Sequence, residues 1–226
     1  ASMLAHYYDS LDIAEPPQPY LGVTIKDRHA VKTRKLEIPV QWIVEKWFAP
    51  GALDGLNDEA RDILLISIET GCRQSEIHDL PSNGIVLDAD IPHLRIAHEE
   101  GDERREVKNT TSVRNVPLVG VALAAARRHP HGFPRYRDKR SYSGLVNAYM
   151  RNNDLVPTPK HTVGGTRHAW ESRLKSAGIA SDDRGEMMGH SVASARNREI
   201  YGDEMPLEQK LKLALEVALH VPQHLA

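Results

Sequence analysis

Four short segments of this chain carry residue types that suit chemistry on a phosphate group. They span residues 70–77, 108–118, 165–174 and 188–191, and Tyr201 follows the last of them. Arginine presents paired donors to phosphate oxygens, lysine can act as a general acid, and tyrosine can act as a nucleophile. Taken singly, each residue would more often be a surface, ion-paired or packing residue, so only the combination indicates a function.

Two arginines occupy positions that favour a bound anion. Arg73 follows Gly71 in a turn between two predicted helices, and Ser75 is the predicted cap of the second helix. Arg167 falls in the first turn of a predicted amphipathic helix, where the helix dipole disfavours a cation. A bound phosphate would compensate for that placement.

Together, the four segments resemble the tyrosine recombinase (phage integrase) family. The family pattern Thr-Gly-x-Arg-x-Ser-Glu begins here at Thr70, and a hairpin lysine then precedes an Arg-x-Val-Pro-Leu strand at residues 114–118. An Arg-His pair opens a helix at Arg167, and Gly-His-Ser at residues 189–191 comes before a tyrosine. The matching segments keep the family's order over about 130 residues.

The resemblance implies a phosphate clamp and a residue that orients it. Arg73 and Arg167 would be the two arginines that grip the scissile phosphate. Glu76 matches the acid that follows the first arginine, and it would orient neighbouring side chains rather than react.

The resemblance also implies the reacting groups of a DNA breaking and rejoining enzyme. Tyr201 would attack the phosphodiester and form a 3′-phosphotyrosyl intermediate, and Lys108 on the hairpin would protonate the departing 5′-oxygen. His190 would stabilise the phosphate by hydrogen bonding. Because the phosphotyrosyl link conserves the bond energy, this chemistry requires neither ATP nor another cofactor.

One position departs from the family pattern. The histidine of His-x-x-Arg would stand three residues before Arg167, where this chain has Gly164. His161 lies further upstream and is the candidate accessory residue. Either His161 fills the vacant space as a base, or the site generates the phenolate without it. We favour the second interpretation, because glycine-containing loops are entropically costly to order.

The charge of the chain is unevenly distributed. Lysines and arginines number 29 and acidic residues 31, so the net charge is −2. A basic run between residues 127 and 140 is nevertheless a predicted DNA-binding segment. The alternative is that such a run is an ordinary solvated face. Its basic members are Arg127, Arg128, Arg135, Arg137, Lys139 and Arg140.

Periodicity predicts an α+β fold, mainly α-helical with a small antiparallel sheet. Asn57 is a predicted helix cap and Gly71 a helix end. Apolar runs at residues 85–87, 94–97 and 115–117 predict strands. Further helices are predicted at residues 121–127, 145–150, 169–177, 183–188 and 206–220. The last helix carries the apolar stripe Leu207, Leu211, Ala214, Leu215 and Ala218, which would pack on its own domain or on a neighbouring protomer.

The domain division follows from the same patterns. Residues 1–35 read as a tail and interdomain linker, and residues 36–226 as the catalytic domain. Family members carry an N-terminal core-binding domain, for which too few residues precede Arg73. The resemblance further implies double-stranded DNA at a recombination site as the partner, with a homotetramer assembled on it.

Composition bounds the setting of the protein. The single cysteine, Cys72, excludes an internal disulfide and fits a reducing cytoplasm. No signal peptide or membrane-spanning run is evident, so we expect a cytoplasmic, DNA-associated protein of bacterial or phage origin. The twelve histidines include no ligand set at zinc spacing, and we expect no metal.

Three other functions compete with recombination. A type IB topoisomerase-like enzyme would use the same chemistry to relax DNA. A catalytically impaired DNA-binding relative would explain Gly164. A helical scaffold without a nucleic-acid role would show no salt-sensitive DNA binding.

Overall fold

The computed structural model describes residues 36–97, 113–189 and 204–226, together with Leu11. Apart from Leu11, these residues belong to one compact unit that spans Lys35–Ala226. The predicted tail and linker, residues 1–35, otherwise lie outside the described residues. No helix within the described ranges is long and apolar enough to cross a membrane.

In chain order, the described helices come before and after a small three-stranded sheet. A short helix, α1 (Val40–Trp42), continues as a π-helical turn, Ile43–Trp47. It is followed by α2 (Asp58–Thr70), α3 (Gln74–His78), β1 (Ile85–Val86), β2 (His93–Ile96) and β3 (Arg114–Pro117). The later elements are α4 (Gly120–Arg128), α5 (Ser141–Asn152), α6 (Thr166–Ser176), α7 (Ser181–Met188) and α8 (Leu207–Glu216). Short 3₁₀ turns cover Val163–Gly165 and Gln223–Leu225.

Helix α2 is the buried centre of the domain. Its predicted cap is confirmed, because the Asn57 side chain accepts a hydrogen bond from the backbone N–H of Ala60 at 3.1 Å. Gly71 ends the helix in the left-handed conformation, with φ of +60°. The helix packs against α3, α4 and α6, so its C-terminal end is fixed from several directions.

The three strands form one antiparallel sheet in the order β1-β2-β3. Ile85 pairs with Leu94, and Leu94 pairs in turn with Val116. The predicted strands are confirmed, as is the mainly helical α+β class. Residues 98–112 connect β2 to β3 and lie outside the described residues.

The C-terminal helix α8 packs on its own domain. Ala214 and the adjoining Val217 are buried in a cluster with Trp170, Leu174 and Met188. Part of the predicted stripe therefore packs within the chain, and packing of the helix on a neighbouring protomer stays a prediction. The prediction was wrong for one member of the stripe, since Leu215 is 58% exposed. The buried face of the helix contains Ala214 and Val217 instead.

Candidate phosphate-binding site

The carboxylate of Glu76 lies among three arginines. Arg73 Nη1 is 2.5 Å from Glu76 Oε1, and Arg114 Nη2 is 3.1 Å from Oε2. Arg167 Nη1 lies 3.9 Å from the same Oε2. The Glu76 side chain is only 7% exposed. Among the described residues, one negative charge therefore faces three positive charges in a largely buried cluster, which we call the Glu76 cluster.

Arg73 is positioned by the turn between α2 and α3. It is the residue that caps α3, and its backbone N–H donates to Glu76 Oε2 at 2.8 Å. The prediction that Ser75 caps this helix was wrong. Ser75 lies inside the first turn, and the Glu76 carboxylate reaches back to the cap in its place, as an acid at the third helical position commonly does.

Arg167 bridges the C-terminal ends of two helices. It lies in the first turn of α6, as predicted. Its Nη1 donates to the carbonyl of Gly71, at the end of α2, at 2.6 Å. Its Nη2 donates to the carbonyl of Met188, at the end of α7, at 2.5 Å. Because helix C-termini carry partial negative charge, both carbonyls stabilise the guanidinium and fix its plane.

The electrostatics of the cluster favour an additional anion. Burial, followed by repulsion from Arg73, lowers the pKa of Arg167 to about 10. Burial by itself would raise the pKa of Glu76, but Arg114 and the Arg73 backbone N–H outweigh it and lower that pKa. Arg167 stays charged at neutral pH, and a bound anion would relieve the repulsion.

Sequence reasoning placed Arg114 in the strand motif but did not assign it to the site. Its side chain is 2% exposed, and Nη2 also lies 3.5 Å from the Cys72 sulfur. The available signal was strand alternation: Arg114 shares a face with Val116, which is buried. An arginine on the buried face of a strand requires a charged partner.

His161 is held within its own loop. Its Nδ1 lies 2.8 Å from the Thr158 hydroxyl, and its backbone N–H donates to the Thr158 carbonyl. Among the described residues, its hydrogen-bond partner is thus Thr158 rather than an arginine of the cluster. Gly164 lies in the 3₁₀ turn that leads into α6. Both interpretations of the missing histidine stay predictions.

Three predicted site residues lie outside the described residues: Lys108, His190 and Tyr201. The described residue next to His190 nevertheless lies at the cluster. Gly189, immediately before His190, ends α7 in the left-handed conformation against Arg114. The connection that contains Lys108 leaves β2 and returns at Arg114.

The predicted DNA-binding run is not uniform in its contacts. Arg128 pairs with the buried Asp62 through two hydrogen bonds of 2.9 and 3.0 Å, and Arg137 donates to the Leu80 carbonyl at 2.8 Å. Lys139 and Arg140 are exposed, and they line a polar pocket with Ser75 and His78 of α3. Arg127 and Arg135 are also exposed. Part of the run thus supports the fold, and part lies beside the helix that Arg73 caps.

The described residues contain no group of three or more histidine, cysteine or acidic side chains with the geometry of a metal site. The cations of the Glu76 cluster can instead hold an anionic group. Arg73 is the accessible member, since its side chain is 35% exposed. Arg167 is 12% exposed and already bonded to two carbonyls.

Comparison with known proteins establishes the fold. No protein-family model matches the sequence, and no curated protein sequence is significantly similar to it. The Tn1549 transposon integrase in complex with circular intermediate DNA is similar with a TM-score of 0.54 and 17% identity, over 97% of this chain and 73% of that chain. A substituted form of that integrase with another circular intermediate DNA gives a TM-score of 0.52 and 18% identity, over 93% of this chain and 71% of that chain. This chain therefore has the fold of that integrase, as the resemblance in the sequence predicts.

Proposed function

We propose that this chain is a tyrosine-type site-specific recombinase or integrase that cleaves and rejoins DNA through a 3′-phosphotyrosyl intermediate. The observation that carries the proposal is the Glu76 cluster, in which two motif arginines and a third arginine surround one carboxylate. The similarity in fold to an integrase in complex with DNA supports the same conclusion.

In the proposed reaction, Tyr201 attacks the phosphorus of a DNA phosphodiester. The bond from phosphorus to the 5′-oxygen breaks as the bond to the phenolic oxygen forms. The tyrosine gives its proton to solvent, and the charged Lys108 transfers a proton to the departing 5′-oxygen. Attack by a 5′-hydroxyl of another strand then reverses these bond changes and releases the tyrosine. Dividing the exchange into two matched steps is covalent catalysis.

The role proposed for Arg73 and Arg167 is to bind the non-bridging oxygens of the scissile phosphate. Charge on these oxygens increases in the transition state, so donors fixed in advance stabilise it. The two carbonyl bonds of Arg167 supply that fixation. Each charge-assisted hydrogen bond contributes about 1.5–3 kcal/mol. About 1.4 kcal/mol corresponds to tenfold in rate, so each clamp is worth between about tenfold and a hundredfold.

The proposed DNA partner would contact the face beside α3. Lys139 and Arg140 are exposed and line a pocket there with Ser75, Asp79 and Asp138, so they are the members of the basic run that we propose contact backbone phosphates. Contacts of this type are sequence-independent and weaken with salt. Assembly as a tetramer on two duplexes is part of the proposal, as for the family that the sequence resembles.

The decisive test of this function uses a nicked suicide DNA substrate, in which the short fragment that bears the new 5′-hydroxyl diffuses away, so that the covalent adduct is trapped. Wild-type protein should form a denaturant-resistant adduct, and Tyr201→Phe should form none while keeping its DNA affinity. Tyr149→Phe is the matched control, because Tyr149 is hydrogen-bonded within the fold, to Ala52. An adduct that persists in Tyr201→Phe, or a nucleotide mapped by mass spectrometry to another tyrosine, would contradict the proposal.

The same preparation separates the competing functions. Relaxation of supercoiled plasmid without joining of two sites would identify a type IB topoisomerase-like enzyme. Salt-sensitive DNA binding without an adduct would identify an impaired relative. A protein that does not bind DNA at low salt would be a scaffold.

A further inference from the structure

Arg114 makes contacts on two sides of the Glu76 cluster. On one side, Nη2 donates to Glu76 Oε2 at 3.1 Å. That oxygen also accepts the backbone N–H of Arg73, while Oε1 accepts from the Arg73 guanidinium. Both oxygens of the carboxylate are therefore engaged, and the guanidinium groups of Arg114 and Arg73 bind opposite oxygens.

On the other side, Arg114 lies directly against Gly189. A Cβ atom built at Gly189 would stand 2.5 Å from Arg114 Nη1 and 2.9 Å from its Cζ. The backbone there has φ of +62°, a conformation that also favours glycine. The flat guanidinium thus takes up the space that any other residue at 189 would need. The next residue in the chain is His190.

We propose that Arg114 is a positioning residue that couples the orientation of Glu76, and through it Arg73, to the turn from which His190 departs. This inference rests on the proposed function, in which Arg73 and His190 act on the same phosphate. Arg114 is not a catalytic residue, because its side chain is 2% exposed. Its strand supplies rigidity: Arg114 pairs with Ile96 at one end of the β2–β3 ladder.

An arginine is required because two functions meet in one side chain. The positive charge satisfies the buried Glu76 carboxylate, whereas the planar shape supports Gly189. A lysine keeps the charge but presents neither the plane nor the forked donors. Arg114→Lys therefore removes the shape and leaves the charge. Displacements of about 1 Å can lower a rate about a hundredfold, so the loss of shape is measurable.

The first measurement separates cleavage from binding. Arg114→Lys should lower the single-turnover rate of adduct formation at saturating DNA by between about tenfold and a hundredfold, with DNA affinity unchanged. Arg173→Lys is the matched control: it alters another largely buried arginine, which pairs with Glu69 outside the cluster. That variant should lower the melting temperature and leave the rate of the folded protein unaltered. Equal rate losses in the two variants would overturn the proposal.

The second measurement is a double-mutant cycle on melting temperature, which requires no DNA. Gly189→Ala should lower the melting temperature more in the wild-type background than in Arg114→Lys, because a lysine removes the guanidinium that the new Cβ would meet. Equal losses in both backgrounds would show that the two residues are uncoupled and would overturn the proposal. If wild-type protein forms no adduct, the proposed function falls, and with it the catalytic part of this inference. The melting cycle then decides the structural coupling by itself.

Discussion

Two buried glutamates on successive helices meet arginines in opposite ways. Glu69, at the end of α2, is fully buried and pairs with Arg173 at 2.9 Å. Its other oxygen accepts the backbone N–H of Leu219 at 2.9 Å. Glu76, at the start of α3, meets three arginines, one of which is 35% exposed. Within the part of the chain that the structure describes, the Glu69 pair is balanced and closed, whereas the Glu76 cluster has more arginines than acids and is open to solvent at Arg73.

The difference separates a structural ion pair from the proposed phosphate-binding site. Burying charge is costly, so a balanced pair is kept where it joins elements. Arg173 does this, since it also donates to the carbonyls of Ile68 and Val217 and so ties α2 to the chain after α8. The surplus positive charge of the Glu76 cluster adds repulsion, and the pKa of Arg167 is lowered even though its guanidinium joins the ends of two helices. A bound anion would offset this repulsion. A DNA phosphate is the anion that the proposed function supplies.

A third buried carboxylate supports this distinction. Asp62 accepts hydrogen bonds from both Arg61 and Arg128. Taken alone, these two contacts would give more arginines than acids. Arg61, however, also pairs with Asp58 at 3.2 Å, so acids and arginines are equal in number there. Among these three carboxylates of the described chain, the surplus is a feature of the Glu76 cluster.

The largest expected effect concerns the balanced pair. Arg173→Ala leaves the Glu69 carboxylate buried without its ion-pair partner, and should lower the free energy of unfolding by about 3–5 kcal/mol. Chemical denaturation measures this loss. Arg128→Ala is the control, because its side chain is 33% exposed and Asp62 keeps Arg61. A loss for Arg173→Ala no greater than for the control would show that the Glu69 pair does not hold the fold together.

The pH dependence of stability should have opposite signs at the two glutamates. The pKa of Glu76 is lowered in the folded protein. Its contribution to folding stability is therefore present above the ordinary glutamate pKa of about 4.3, and this contribution is lost as the pH falls through the lower folded pKa. Burial, which outweighs the attraction of Arg173, raises the pKa of Glu69. The contribution of Glu69 to folding stability is therefore present below the ordinary glutamate pKa, and it is lost as the pH rises through the raised folded pKa.

Glu69→Gln and Glu76→Gln test these signs. The stability difference between wild type and Glu76→Gln should shrink as the pH falls from neutral to acid. The difference between wild type and Glu69→Gln should instead grow in favour of wild type over the same titration. Denaturation curves at a series of pH values measure both differences. If both stability differences changed in the same direction as the pH fell, the two glutamates would not differ in the way proposed.

The smallest effect is expected outside the cluster, at His161. General base catalysis contributes about a hundredfold or more, so a residue without that role should matter by less than about tenfold. His161→Ala should therefore reduce cleavage only slightly, while Arg167→Ala should nearly eliminate it. A loss of about a hundredfold in His161→Ala, with folding and DNA affinity unchanged, would identify His161 as the displaced base.

Local signals in the sequence predicted much of this architecture. The cap at Asn57, the end at Gly71 and the first-turn position of Arg167 each depend on a few adjacent residues, and each is confirmed. The role of Arg114 could not be predicted in the same way, because its partner Glu76 is 38 residues away. The pairing of Arg128 with Asp62 spans 66 residues and was hidden for the same reason. Local patterns therefore located the arginines, and tertiary pairing decided which are structural.

The central claim is that the surplus charge of the Glu76 cluster binds the scissile phosphate, and one substrate tests it most directly. Arg73→Ala is the suitable variant, since Glu76 keeps Arg114 and the fold should be retained. A methylphosphonate at the scissile position replaces one charged oxygen with a neutral methyl group. Arg73→Ala should cleave ordinary DNA about tenfold to a hundredfold more slowly than wild type, and should match wild type on the methylphosphonate. An equal loss on both substrates would contradict the claim, because Arg73 would then act on something other than the phosphate charge.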